Sequence, residues 1–268
     1  MQRYFIHLCY DGTRYHGWQI QPSANSVQQE LQFALSTILR VPIEVVGAGR
    51  TDTGVHARHM VAHFDFDTSC IPQPLLSDLK EDESAQQTPD SRLRNFADNL
   101  AYRLNRMLPR DISVYRVEPV DEEMHARFSA CARTYHYYIH TMKNPFRRDY
   151  SCELHYPLDF SMMNEAASHL LKVDDFGAFC KAHTDVKTTI CHVSEAEWVR
   201  DGEAEWHFRI TANRFLRNMV RAVVGTLIDV GRGRVSVDEF DRIVAGKKRT
   251  EAGESMPAKA LFLERVEY

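Results

Sequence analysis

One stretch of the chain, Gly47-Ala-Gly-Arg-Thr-Asp-Thr-Gly-Val-His56, sets a single carboxylate, Asp52, among glycines. Glycines on either side let the backbone turn sharply and come close to a ligand. A loop between two strands is also where working side chains are commonly displayed. By pattern alone the plainer account is preferred, a Gly-rich turn in which Asp52 makes local hydrogen bonds. Neither GxxxxGK[ST] nor GxGxxG spacing occurs, so a phosphate-cradling loop is not supported. His56, His59 and His63 nominally make a three-ligand zinc set. On an extended strand His59 and His63 share a face roughly 13 Å apart, too far for one ion. Cys180, His183, Cys191 and His192 lack a zinc-site spacing as well, and no metal is expected.

Two further groups could meet a nucleic acid. Arg214, Arg217 and Arg221 fall at i, i+3 and i+7 of an expected helix and would form one basic stripe opposite its apolar face. Such a stripe is ordinarily a solvated face, and the competing reading gives one arginine to a carboxylate or phosphate. In Arg133-Thr-Tyr-His-Tyr-Tyr138 aromatic residues ordinarily serve cross-strand packing. Tyr135 and Tyr137 would face one side and His136 and Tyr138 the other, which leaves a tyrosine able to stack on a base.

The elements that must position these residues alternate in type. Arg3 to Tyr10 alternates apolar and polar and ends at Asp11-Gly12, a strand and a turn. Ser26-Val-Gln-Gln29 predicts a capping box, with Val27, Leu31, Leu35 and Ile38 on one helix face. A short strand is expected at Ile43 to Val46, and a longer one at His59 to Asp67 with Met60, Ala62, Phe64 and Phe66 facing one way. Leu93, Phe96, Leu100, Leu104 and Met107 mark a second helix, and Ile112 to Val117 a strand. This β-α-β-β-α-β order is the split βαβ of ferredoxin-like domains. The second half repeats it with a strand at Arg133 to Thr141, a helix at Asp159 to Leu171, and a hairpin of Thr189 to Val199 with Glu203 to Ala212. A helix at Phe215 to Val230, an extra one capped by Ser236 and ending near Gly246, and a strand at Leu261 to Glu267 follow. The expected fold is α+β, two related ferredoxin-like lobes with antiparallel sheets flanking a central cleft. The lobes are residues 1–119 and 120–268, with the boundary near Glu118 to Glu123.

Composition agrees with such a chain. Its 268 residues, 44% hydrophobic and 26% charged, suit about two globular domains and exclude low complexity. No window approaches the ~18 consecutive apolar residues of a membrane span, and the first residues lack the apolar core of an export signal. Six scattered cysteines without a CxxC pair read as reduced thiols, so a cytoplasmic protein is expected. The net charge of −4 gives no hint of a nucleic-acid partner. Between Asp65 and Asp90, however, seven acids stand against Lys80, and removing that net −6 from −4 leaves +2 for the rest. The remainder could carry a basic cleft.

Taken together, these segments resemble the TruA family of tRNA pseudouridine synthases. Tyr10-Asp-Gly-Thr-Arg-Tyr-His-Gly-Trp-Gln19 is similar to the family's opening strand and turn, and Gly49-Arg-Thr-Asp-Thr-Gly-Val-His-Ala57 to its catalytic loop. Leu104 to Ile112, His125-Ala-Arg-Phe-Ser-Ala130, Asn218 to Gly225 and Pro257 to Leu261 are similar to its later blocks, in family order. Thr53 and Ala260 stand where the family usually has Ala and Gly, and Ser77 to Pro89 reads as an inserted surface loop.

The resemblance implies an isomerase that breaks the N1–C1′ bond of uridine, turns the base and rejoins it through C5, with no cofactor. It implies Asp52 as the essential carboxylate, attacking C1′ or C6 or acting as a base on the ribose. An ionised carboxylate in a solvent-poor pocket needs a cation to oppose desolvation, the role the resemblance gives Arg221, while it gives Tyr135 stacking on the target base and help with proton transfer from C5. A stacked uridine must be flipped out to react. Arg50 is the candidate to fill the vacated space or hold a flanking phosphate. Arg58, His125, Arg127, Phe128, Lys181 and Lys187 are candidate tRNA contacts. The family further implies a homodimer acting on the anticodon arm, at positions 38, 39 and 40. Two rivals stand beside this reading: a catalytically silent RNA-binding module of the same fold, and a zinc hydrolase using His56, His59 and His63.

Overall fold

A computed structural model describes residues 1–75, 89–181 and 187–268. The chain forms two compact units, Met1–Ala130 with Tyr268, and Cys131–Glu267. Both mix helices and sheet, so the α+β class holds.

The first unit runs β1 (Gln2–Tyr10), α1 (Val27–Leu39), β2 (Val46–Gly47), β3 (His56–Phe66), α2 (Pro89–Met107) and β4 (Ile112–Val120). β1 pairs antiparallel with both β3 and β4, and β2 pairs antiparallel with β3. Alternation in β1 turns Tyr4, Ile6, Leu8 and Tyr10 to one face, all buried. Tyr4 meets Phe64 of β3 and Phe96 of α2 with ring centroids 5.3 and 5.4 Å apart. The expected β3 face, Met60, Ala62, Phe64 and Phe66, is buried too. Of the box expected at Ser26 the structure records the serine half, with Oγ accepting from the Gln29 N–H at 3.3 Å. On α1 the buried residues are Val27, Leu31, Ala34, Leu35 and Leu39; Ile38, expected among them, is half-buried. The strand expected at Ile43 to Val46 shrinks to Val46–Gly47.

The second unit runs β5 (Ala132–His140), β6 (Cys152–Glu153), α3 (Phe160–His169), β7 (Val193–Arg200), β8 (Glu205–Ala212), α4 (Met219–Gly231), α5 (Val237–Gly246) and β9 (Leu261–Glu267). Its sheet order is β9-β5-β8-β7, antiparallel throughout, while the two residues of β6 join β5 in parallel. That parallel pair departs from the antiparallel expectation. The Ser236 capping box on α5 is complete in both directions. Every residue of α4 except Arg221 and Asp229 is buried.

α4 starts at Met219, four residues later than the expected Phe215. Asn218 has φ of 66°, a left-handed conformation that cannot lie inside a helix. Arg214 and Arg217 therefore precede the helix, and the three arginines form no common stripe. Residues 76–88 of the acidic stretch lie outside the described residues. Its flanking Asp65 chelates the Arg3 guanidinium at 2.8 and 2.7 Å, and Asp67 caps the turn Thr68–Cys70. Among the described residues no helix is long and apolar enough to cross a membrane.

Candidate active site

The loop between β2 and β3 is moulded by the segment that follows β1. The Tyr10 hydroxyl and Thr51 Oγ1 lie 2.8 Å apart in the interior. The Trp18 N–H donates to the Thr51 carbonyl at 3.3 Å, and the Gly54 N–H to the Tyr15 carbonyl at 3.3 Å. His56 Nδ1 accepts from the Gly12 N–H at 3.1 Å, with an Asp11 oxygen 3.1 Å from the same nitrogen. Such closeness demands glycine at two places. A Cβ on Gly12 would lie 2.0 Å from the Val55 carbonyl oxygen. One on Gly17, whose φ is +92°, would lie 2.3 Å from the Thr51 carbonyl oxygen.

Within this mould the Val55 N–H closes a turn onto the Asp52 carbonyl at 3.1 Å. Asp52 is half-buried at the head of the turn. Arg50 just before it and Arg58 at the start of β3 are exposed, and the Arg58 carbonyl accepts from the Tyr115 hydroxyl at 3.0 Å. The arrangement holds one carboxylate on a backbone clamped from both sides, with cationic side chains on the same stretch of chain. Tyr10, Gly12, Gly17, Trp18 and Thr51 lie in segments that the sequence reading quoted, but it gave them no positioning role. The two closely spaced glycines of the Gly-Thr-Arg-Tyr-His-Gly run were the signal for close backbone approach.

A second cluster in this unit gathers His125, Arg127 and Phe128 on one tight turn. His125 Nδ1 accepts from the Arg127 and Phe128 N–H groups at 3.1 and 3.3 Å. His63 Nδ1 accepts from the Ala126 N–H at 3.1 Å. Burial pushes the His63 pKa down to about 4, with His125 and Arg3 acting the same way and Asp65 against them. His59 Nε2 lies 2.9 Å from His7 Nδ1. His56, His59 and His63 thus serve three different partners. Among the described residues no group of three or more His, Cys, Asp or Glu side chains is arranged to hold a metal ion. Of the other cysteine and histidine candidates, Cys180 and Cys191 are buried and His192 faces Asp174 at 3.1 Å. His183 lies outside the described residues.

In the second unit Tyr135 sits on β5, half-buried, with its ring 5.0 Å from that of Phe215 and nearly perpendicular to it. Tyr137, two residues along, is fully buried and donates to the Pro257 carbonyl at 3.0 Å; burial raises its pKa well above the ordinary tyrosine value. Arg221 emerges from the first turn of α4, and its Nε donates to the Met256 carbonyl. The Met256 N–H returns a bond to the Arg221 carbonyl at 3.1 Å. The segment before Met256 runs tightly along α4. A Cβ on Gly225 would lie 1.9 Å from the Glu254 carbonyl oxygen, and one on Gly253 2.7 Å from the Thr226 nitrogen. The Arg249 guanidinium ties the same segment through Ala252, Gly253 and Ser255. Lys181 and Lys187 are exposed, and the Lys181 N–H donates to the Arg217 carbonyl at 3.2 Å.

The tRNA pseudouridine synthase family model matches residues 8–129 and 166–268. Asp52 and Arg221 fall inside those residues, and Tyr135 falls between them. The chain is 53% identical over 268 residues to tRNA pseudouridine synthase A of Bacteroides fragilis, covering all of this chain and 97% of the relative. It is 50% identical over 269 residues to the protein of the same name from Porphyromonas gingivalis, covering 100% and 98%. Against the one from Bacillus subtilis the identity is 38% over 265 residues, covering 97% of each.

Proposed function

The chain belongs to the tRNA pseudouridine synthase family, and on that premise we propose how its residues carry out the reaction. It is an isomerase that turns uridine in tRNA into pseudouridine. The N1–C1′ bond breaks, the uracil turns, a C5–C1′ bond forms, and the proton on C5 leaves to water while N1 gains one. Atoms and electrons balance within the nucleotide, so the reaction calls for no redox partner and no nucleotide cofactor.

Asp52 is the reacting carboxylate, as nucleophile at C1′ or C6 or as base on the ribose; each route uses its charged form. Arg221 has the charge-balancing role and Tyr135 the base-stacking role. Arg50 fills the place of the flipped base or holds a flanking phosphate. The reading extends to two ferredoxin-like lobes, the first carrying Asp52 and the second Tyr135 and Arg221, in a cytoplasmic homodimer acting on the anticodon arm. The observation that carries it is the clamped Gly49–Ala57 loop with its single carboxylate, in a chain matched along its length by relatives of one name.

The test uses tRNA tritiated at uracil C5. Asp52→Asn keeps the size and one acceptor oxygen but removes the charge, so tritium release falls to background while tRNA binding stays within a few-fold of the unsubstituted enzyme. Release persisting in Asp52→Asn overturns the assignment. The silent-module alternative predicts no release from the unsubstituted protein and is not supported by the relatives' names.

A further inference from the structure

Phe128 stands out on the first unit because a large apolar ring is held in solvent on a hydrogen-bonded turn. It is 76% exposed, and an exposed aromatic on a floppy loop would need no explanation. Here the turn beneath it is fastened by hydrogen bonds from the N–H groups of residues 125 to 129. The His125 N–H donates to Ser129 Oγ at 2.9 Å, and the Ser129 N–H to the His125 carbonyl at 2.9 Å. The Ala126 N–H reaches His63, and the Ala126 carbonyl accepts from the Tyr268 hydroxyl at 2.7 Å.

Rings continue this framework outward. Phe5 packs on Tyr268 at 5.0 Å, His63 meets the His125 ring edge-on at 4.5 Å, and His125 meets Phe128 at 4.4 Å. The Arg127 guanidinium carbon lies 5.7 Å from the centre of the Phe128 ring, within cation–π range. An aromatic ring backed by a second ring and flanked by a guanidinium has the parts of a single-stranded nucleic-acid stacking platform. The ring takes the face of any base, and the cation takes a phosphate or adds to the stack.

We infer that the Phe128 ring, braced by His125 and flanked by Arg127, is a stacking platform for an unpaired base of the tRNA other than the reacting uridine. The inference rests on tRNA being the substrate. His125 and His63 are positioning residues in it; Phe128 is the group that touches the nucleotide. Because a stacked base carries no charge at the contact, Phe128 adds to affinity at every salt concentration. Arg127 adds to the salt-dependent part.

The experiment measures binding of an unmodified tRNA transcript, and its C5-tritium release, for the unsubstituted enzyme, Phe128→Ala, Phe128→Trp and Arg127→Ala over a salt series. Phe128→Ala weakens binding roughly tenfold, the loss of one stacked base, and leaves the log–log salt slope unchanged. It raises KM without lowering kcat, while Phe128→Trp keeps near-normal affinity, because the larger ring still stacks. Arg127→Ala lowers the slope by about one phosphate contact. Binding of Phe128→Ala within twofold of normal overturns the inference. So does an equal loss in Phe128→Trp, because then the ring face is not what matters. A shift from dimer to monomer on sedimentation of Phe128→Ala, with binding per chain unchanged, would assign the ring to a contact between copies and overturn it as well. Failure of the isomerase reading shows separately, as no tritium release from the unsubstituted enzyme.

Discussion

Gly17 shows how one residue governs the loop that carries Asp52. Its φ of +92° and the 2.3 Å between a built Cβ and the Thr51 carbonyl oxygen leave no room for alanine. Holding a non-glycine residue in such a conformation costs about 1–3 kcal/mol, and relief of the contact must move the backbone on one side of Asp52. Gly17→Ala is expected to lower kcat by ten- to a hundredfold, with tRNA affinity little changed and thermal stability reduced by a few degrees. Single-turnover tritium release with a melting curve checks it. Normal turnover with a lowered melting temperature would mean that the loop tolerates the shift and that Gly17 serves folding alone. Glycine at 12 faces the same limit against Val55. The loop that carries Asp52 is thus shaped as much by the residues that cannot carry a side chain as by its own sequence.

Between elements, His63 ties β3 to the turn that ends at Ala130. Its Nδ1 accepts from the Ala126 N–H, so the folded unit needs the ring neutral there, and burial takes its pKa from 6.5 to about 4. The unfolded chain binds a proton near pH 6.5 and the folded chain does not. Stability contributed by neutral His63 is therefore complete above about pH 7 and is lost as pH falls toward 4. Between pH 7 and 5 this amounts to about 2 kcal/mol, with His7, His125 and His140, also shifted down mainly by burial, adding in the same direction. Urea unfolding at the two pH values measures the loss. His63→Asn, which keeps an acceptor but cannot charge, should flatten part of the slope. An unchanged slope in that variant would show that His63 is not the titrating tie.

For the whole molecule, charge sets how tRNA is held. The chain carries 33 Lys and Arg against 37 Asp and Glu, so net attraction does not draw in a polyanion. On the proposed reading affinity comes from local contacts such as Arg50, Arg58, Arg127, Lys181 and Lys187, all exposed. Each phosphate neutralised releases counterions, so tRNA affinity should fall at least tenfold between 50 and 200 mM salt, the range typical of several phosphate contacts. A filter-binding series measures this. A fall of less than twofold would mean that binding does not depend on these cations.

Much was legible without coordinates where the pattern is short-range. Alternation in β1 and β3, the complete cap at Ser236 and the last strand at Leu261–Glu267 follow from side-chain period and local hydrogen bonds, and the Gly49–Ala57 motif pointed to Asp52. The start of α4 was misread because apolar spacing runs through Phe215 and Leu216. Asn218 turns left-handed there to bond Ser255, 37 residues away. The partner that holds Arg221, the carbonyl of Met256, is likewise 35 residues distant. The clamp on Asp52 depends on Gly12 and Gly17 lying against Val55 and Thr51. Period, caps and turn chemistry act between neighbours along the chain, so the amino-acid order determined the elements and singled out Asp52 as the carboxylate to propose. Close backbone approach and the choice of hydrogen-bond partner arise only when distant segments pack, so the tertiary structure alone decided what grips Asp52, Arg221 and Phe128.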